Sequence, residues 1–174
     1  MTVNESHTAR VTRLLADIGR KMNVPVPSFG GEGKGSLPFA YSYWTHKIYV
    51  EQKRAKPLTD EELSLILAHE VGHSLRRKQI LFGVFGVVTT WVSTMAVFLI
   101  VPTWVAIALS CACMAQMRYY ESVQLLKEEF IADEFGVKFA SEKSSYKQLL
   151  LKISQERRGG PSPGMLKRLS RLTD

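Results

Sequence analysis

The sequence predicts a mostly helical α+β fold with a small sheet and an inserted two-helix transmembrane hairpin, and three observations lead there. Apolar residues recur at helical spacing near the start of the chain and again beyond Pro57. Aromatic and β-branched residues crowd the stretch from Leu37 to Val50. Between Lys78 and Arg118 lie 39 residues without a formal charge.

Each element follows in order. Val11, Leu14, Leu15, Ile18 and Met22 fall on one helical stripe, and the helix should end near Asn23, before Pro25 and Pro27. Glycines from Phe29 to Ser36 call for a loop. The run Gly33-Lys34-Gly35-Ser36 is not a phosphate-binding loop, because Gly35 stands where Ser or Thr must follow the lysine and Ser28 where a glycine is needed. Phe39, Tyr41, Tyr43, Trp44, Ile48, Tyr49 and Val50 predict two short strands or a hairpin. Thr59 and Glu62 stand three apart, as a capping box requires, so a helix is expected from there through His73 to about Lys78.

The uncharged run would make a helix about 58 Å long at 1.5 Å per residue, against a hydrocarbon thickness of about 30 Å. Pro102 disfavours one uninterrupted helix, so two short crossings with a turn between Phe98 and Trp104 fit better. A helical hairpin buried in soluble protein is the competing reading, but a chain of 174 residues offers little to cover it. Helices over Tyr119–Ser141 and Ser144–Ile153, a break at Gly159-Gly160-Pro161-Ser162-Pro163 and a short basic helix over Met165–Leu172 complete the chain. Residues 1–78 and 118–174 would then form one domain, with 79–117 inserted in it.

With 23 Lys and Arg against 16 Asp and Glu, the formal charge of +7 suits an anionic membrane face. No nucleic-acid motif accompanies it, so no nucleic-acid partner is expected. Cys111 and Cys113 are one residue apart in the apolar run, fit no redox or zinc-finger spacing, and are read as small buried thiols. No charged and then apolar leader opens the chain, so its N-terminus is expected in the cytoplasm.

His69-Glu70-Val71-Gly72-His73 puts two imidazoles one helical turn apart on one face, as two ligands of a single zinc ion require. Glu70 lies one residue round, beside the metal, where it can take a proton from a water whose pKa the ion lowers to about 7 and pass it to the leaving amine. Two surface histidines on an amphipathic helix are the bland alternative. A catalytic zinc needs a third protein ligand. Arg76 and Gln79 occupy the places where one class of zinc peptidases has its glycine and third histidine. Glu129-Phe130-Ile131-Ala132-Asp133 supplies an alternative: Glu129 to ligate, and Asp133 one turn on to accept the free N–H of a ligand histidine. Taken alone, Glu128, Glu129 and Asp133 would be an acidic helix face.

The order H-E-x-x-H, hydrophobic hairpin, E-F-x-A-D resembles the gluzincin peptidases of the HtpX-like branch, related to the CAAX prenyl endopeptidases. The resemblance runs from about Val11 to Leu172. It implies a zincin-like catalytic domain, zinc held by His69, His73 and Glu129, Glu70 as general base, Asp133 orienting a histidine, and a part in protein quality control. Such enzymes usually carry a further pair of membrane helices before the catalytic region, which this sequence lacks. Their Asn-Ala-Phe-Ala segment appears here as Leu37-Pro38-Phe39-Ala40, and their His-Pro as Ser162-Pro163, followed by Arg168-Leu169-Ser170-Arg171-Leu172.

Because the hairpin separates His73 from Glu129, an odd number of crossings would put the ligands on opposite sides of the bilayer. Two crossings follow if they share an ion. Arg76, Arg77, Lys78 and Arg118 flank the hairpin and its turn has no positive charge, which places the active site on the cytoplasmic face of an inner membrane. An extended polypeptide is the expected substrate, added as a strand along the edge offered by His46–Val50 or its neighbour. His46 is read as a strand histidine, and Tyr146, Arg168 and Arg171 as oxyanion candidates with solvated or lipid-facing alternatives. The expected activity is zinc-dependent endopeptidase action on unfolded or membrane-proximal polypeptides. Rival readings are a non-proteolytic membrane scaffold that retains zinc and a soluble helical interaction protein with an accidental pentad.

Overall fold

The computed structural model describes residues 5–33, 38–97, 102–140, 142–155 and 161–172. The hairpin turn expected after Phe98, part of the glycine-rich loop and the Gly159-Gly160 break lie largely outside the described residues. The chain divides into two compact units, Met1–Leu75 with Glu129–Asp174, and Arg76–Glu128.

In the first unit, α1 (His7–Met22) starts where the Ser6 side chain accepts from the Ala9 N–H and stops at Asn23 in the left-handed region, as the apolar stripe predicts. Three strands follow: β1 (Ser28–Gly31), β2 (Phe39–Ser42) and β3 (Lys47–Val50), in the order β1-β3-β2. The expected hairpin is β2 against β3, antiparallel, while β1 runs parallel to β3. Part of the predicted glycine loop is therefore a strand, since Ser28 and Phe29 pair with Lys47 and Ile48 before the register slips at Gly31. β3 is central and cannot offer a free edge; among the described residues the edges are β1 and β2. His46 belongs to the turn before β3 rather than to a strand, with φ 55° and its Nδ1 2.8 Å from the Tyr41 hydroxyl.

After the one-turn α2 (Gln52–Ala55), α3 (Asp60–Leu75) opens with the predicted capping box. The Thr59 N–H donates to Glu62 at 2.9 Å and the Glu62 N–H to the Thr59 hydroxyl at 3.1 Å. This helix is buried on two sides. Leu63, Leu67, Ala68 and Val71 pack with α1 and the sheet, while Leu65 and Ile66 pack with Leu149 and Leu150 of α6 (Lys143–Gln155) and Met165 and Leu169 of α7 (Pro163–Arg171). The helix ends at Leu75, short of the predicted Lys78, and Arg76 separates it from α4 (Arg77–Val97).

Close packing on the remaining side of α3 sets the site. A Cβ on Gly72 would lie 2.8 Å from the Cα of Ala132 on α5 (Thr103–Ala140), so the two helices meet backbone to backbone between the two acidic positions of that helix. Gly72→Ala gains about 1 kcal/mol of helix propensity. It nevertheless forces the helices apart at a backbone atom that no rotamer can move, which costs about 1–3 kcal/mol. A lower melting temperature and weaker zinc retention are expected; a variant that melts with the wild type would show the contact to be slack.

The second unit pairs α4 antiparallel with the first part of α5. The Trp91 Nε1–H donates to the sulfur of Met117 at 2.9 Å, Thr94 and Cys113 meet at 3.9 Å, and Arg76 pairs with the buried Glu128 at 2.5 Å. Thr89, Thr90, Thr94 and Ser110 return their hydroxyl hydrogens to backbone carbonyls four residues earlier, so these groups need no water. Arg77–Ala96 is long and apolar enough to cross a membrane and none of it is buried within the protein. It is the one such helix among the described residues; the uncharged part of α5 there begins only at Thr103. That part runs without interruption into the helix expected from Tyr119. Cys111 is exposed and Cys113 half-buried, contrary to two buried thiols.

Candidate zinc centre

Helix α3 presents His69 and His73 one turn apart, with ring centroids 4.8 Å apart and planes nearly perpendicular. Glu129 of α5 faces both: one carboxylate oxygen lies 3.5 Å from His69 Nε2, the other 3.6 Å from His73 Nε2. The three donor atoms all fall within 4.8 Å of one another. Ligands about 2.0–2.2 Å from zinc at tetrahedral angles stand about 3.3–3.6 Å apart, so each histidine nitrogen already lies at that spacing from one of the two Glu129 oxygens, and small side-chain adjustments would bring a single oxygen into place for both. Three protein donors leave a fourth position for substrate or water, the mark of a catalytic site. Glu70, at 8 % exposure, lies on the same helix, and its carboxylate accepts the backbone N–H of Tyr41 on β2.

A buried network stands behind the donors. His69 Nδ1 lies 3.1 Å from Asp133, which also accepts from the Tyr146 hydroxyl at 2.8 Å and from the Arg168 guanidinium at 2.7 and 2.6 Å. A third Arg168 nitrogen reaches Glu129 at 2.5 Å. Arg168 and Tyr146 are thus part of the site, although the sequence offers them as oxyanion candidates or solvated side chains. Tyr146 is 1 % exposed and sits at Nδ1, the side of His69 away from Glu129, so it cannot reach an oxyanion at the metal. Arg171 pairs with Glu134 and covers the ring of Phe130. Glu128 and Asp133 are buried, so this is no solvated acidic face.

Burial alone would push the His69 imidazole down, but Asp133 and Glu129 outweigh it and lift its pKa to about 9 in the metal-free protein. Burial and the charge of His69 take His73 down to about 4. Glu129 and Asp133 resist the upward push of burial through their bonds to His69 and the charge of Arg168, and fall to about 2. Zinc takes neutral imidazole, so below about pH 9 its binding must expel the His69 proton, while His73 and the two carboxylates have none to lose near neutrality. Zinc affinity is therefore expected to rise about tenfold per pH unit from pH 6 to 8, measured by competition against a chelator of known affinity. A pH-independent affinity would mean that His69 is already neutral.

The geometry brings together all five residues picked from sequence: His69, His73, Glu129, Glu70 and Asp133. It adds Arg168, Tyr146 and Tyr43, whose hydroxyl is 3.4 Å from His73 Nδ1. The family model described as peptidase family M48 matches residues 5–174, a span that takes in both motifs. No curated protein and no solved structure matches the chain. A family match over nearly the whole length, laid on two helices that aim two histidines and a glutamate at one point, identifies this chain as a metallopeptidase belonging to peptidase family M48.

Proposed function

We propose that the chain is an HtpX-like integral-membrane zinc endopeptidase that cleaves unfolded or membrane-proximal polypeptides on the cytoplasmic side of an inner membrane. The observation that carries the proposal is the meeting of His69, His73 and Glu129 beside the buried Glu70. Zinc held by the three donors supplies a Lewis acid for the scissile carbonyl and an acidified water. Glu70 takes the proton from the attacking water and delivers it to the leaving amine nitrogen. Burial pushes its carboxyl up from the ordinary value of 4.5, which improves it as a proton carrier near neutrality. Substrate adds as a strand along β2, an edge strand that touches the site through the Tyr41 N–H on Glu70 and leads directly into Tyr43, whose hydroxyl lies beside His73.

The membrane reading rests on the second unit. Phe82, Phe85, Val88, Val92, Trp104 and Ile107 are all exposed, an apolar surface that lipid suits and water does not. Since His73 and Glu129 meet, a chain that leaves through α4 must return through α5, giving two crossings with the basic residues Arg76, Arg77, Lys78 and Arg118 on the cytoplasmic side.

The test uses the full chain in mild detergent with an unfolded protein as substrate, zinc content measured alongside. Stoichiometric zinc with cleavage abolished by a chelator is the expected result. Zinc without cleavage of any substrate tried would favour the scaffold, in keeping with Ser162, which stands in the family's histidine position and caps α7 by accepting the Met165 N–H at 3.2 Å. A zinc-free protein would refute the centre, and release from membranes by carbonate would refute the hairpin crossings.

A further inference from the structure

Tyr146 is the largest fully buried side chain among the described residues, and it points a hydroxyl into a charged cluster from an otherwise apolar neighbourhood. Leu65, Ile66, Leu149, Leu150, Met165 and Leu169 share its cluster. Its ring lies against Gly136, where a Cβ would come within 2.5 Å of Cε2 and 2.8 Å of Cζ, so the sequence leaves space for this ring and no more. Phenylalanine would fill the same volume without a polar atom to satisfy. The hydroxyl therefore answers to something other than packing.

What it meets is the back of a zinc ligand. The oxygen lies 2.8 Å from Asp133 Oδ1 and 3.0 Å from His69 Nδ1, and those two atoms are 3.1 Å apart, a closed triangle of polar atoms. Asp133 accepts the tyrosine hydrogen, so the His69 Nδ1–H has two oxygens side by side to donate to, which leaves Nε2, on the Glu129 side, as the nitrogen that can bind a metal. His73, by comparison, faces the Tyr43 hydroxyl at 3.4 Å. We infer that the Tyr146 hydroxyl, seated by Gly136, is a positioning group that works with Asp133 to hold the His69 ring in the orientation and tautomer that present Nε2 to the metal.

The inference rests on the zinc centre proposed above, and the test separates the two. Zinc affinity of the full chain in detergent is measured by chelator competition for wild type and Tyr146→Phe, with the visible spectrum of the cobalt-substituted protein and the circular dichroism of the metal-free form. Loss of an outer hydrogen bond to a ligand histidine weakens metal binding about 10- to 100-fold. Tyr146→Phe is expected to lose about tenfold in affinity and to shift the cobalt bands, with the metal-free fold unchanged. Should Tyr146→Phe fail to fold, Gly136→Ala decides, since it keeps the hydroxyl and displaces the ring; a similar loss of affinity supports the role. Affinity and cobalt spectrum equal to wild type in the folded variant would overturn the inference and leave the zinc centre standing. A wild type that binds no metal would overturn both.

Discussion

Glu70→Gln is expected to lower kcat by about a thousandfold while the protein keeps its zinc. General-base transfer contributes about 10²–10⁴ to such reactions, which at a thousandfold is about 4 kcal/mol of barrier. Glutamine has the same shape and can still accept the Tyr41 N–H through its carbonyl oxygen, so the helix, the strand and the three donors stay in place. What disappears is a site that can carry a proton. Stability should move the other way. Burial raises the Glu70 pKa above its unfolded value, so in the metal-free protein the protonated form is the better folded one. That contribution is complete below the unfolded pKa and lost as pH rises through the folded one. A neutral glutamine avoids the loss, so metal-free Glu70→Gln should melt at or above the wild type at pH 7.5. Lost activity in a protein no less stable, with zinc unchanged, assigns the base; cleavage within tenfold of wild type would take the role from Glu70.

The parts of this molecule that were legible in the sequence are those set by positions a few residues apart. The stripe of α1, the Thr59–Glu62 box, the two histidines of α3 and the Glu129–Asp133 pair all depend on helix periodicity, which fixes neighbours at three and four residues whatever lies around them. The missing parts depend on pairings distant in sequence. Strand β1 contains two glycines and gains its conformation from β3, so its composition reads as a loop. The order β1-β3-β2 moves the free edge beside the site to β2, which no local pattern reveals. Nothing near Arg76 marks the end of α3; neither glycine nor proline is there, and its partner Glu128 lies beyond the hairpin. Arg168 had a signal: two carboxylates one turn apart, once buried, need a cation, and the basic run after Pro163 supplies one. Tyr146 had none, because its meaning comes from Gly136 and His69, which lie on two other helices.

Asp133→Asn should strike both the fold and the metal. Asp133 is 4 % exposed and its carboxylate faces Tyr146, His69 and two nitrogens of Arg168, so donors crowd Oδ1 and Arg168 also holds Oδ2. Asparagine turns one oxygen into a donor that points at other donors and leaves the Arg168 guanidinium with Glu129 as its remaining acid within this network. Breaking one side of a buried pair costs about 3–5 kcal/mol, a large part of the roughly 5–15 kcal/mol by which domains are stable. At this chain length the melting temperature should drop by about 10 °C. The acid dependence gives a second reading. The folded pKa of Asp133, about 2, lies below its ordinary value of 3.8, so its contribution is present above that value and lost as pH falls toward 2. Metal-free wild type should therefore lose stability between about pH 4 and 2 more steeply than the variant. Zinc binding should weaken about 10- to 100-fold, because the His69 ring loses its charged acceptor and Arg168 pulls on Glu129 alone. Excess zinc should restore much of the activity if orientation is what was lost, since Glu70 and the three donors remain. A variant that melts, titrates and binds zinc as the wild type does would reduce Asp133 to a bystander, and with it the account of why α5 carries a second carboxylate one turn beyond Glu129.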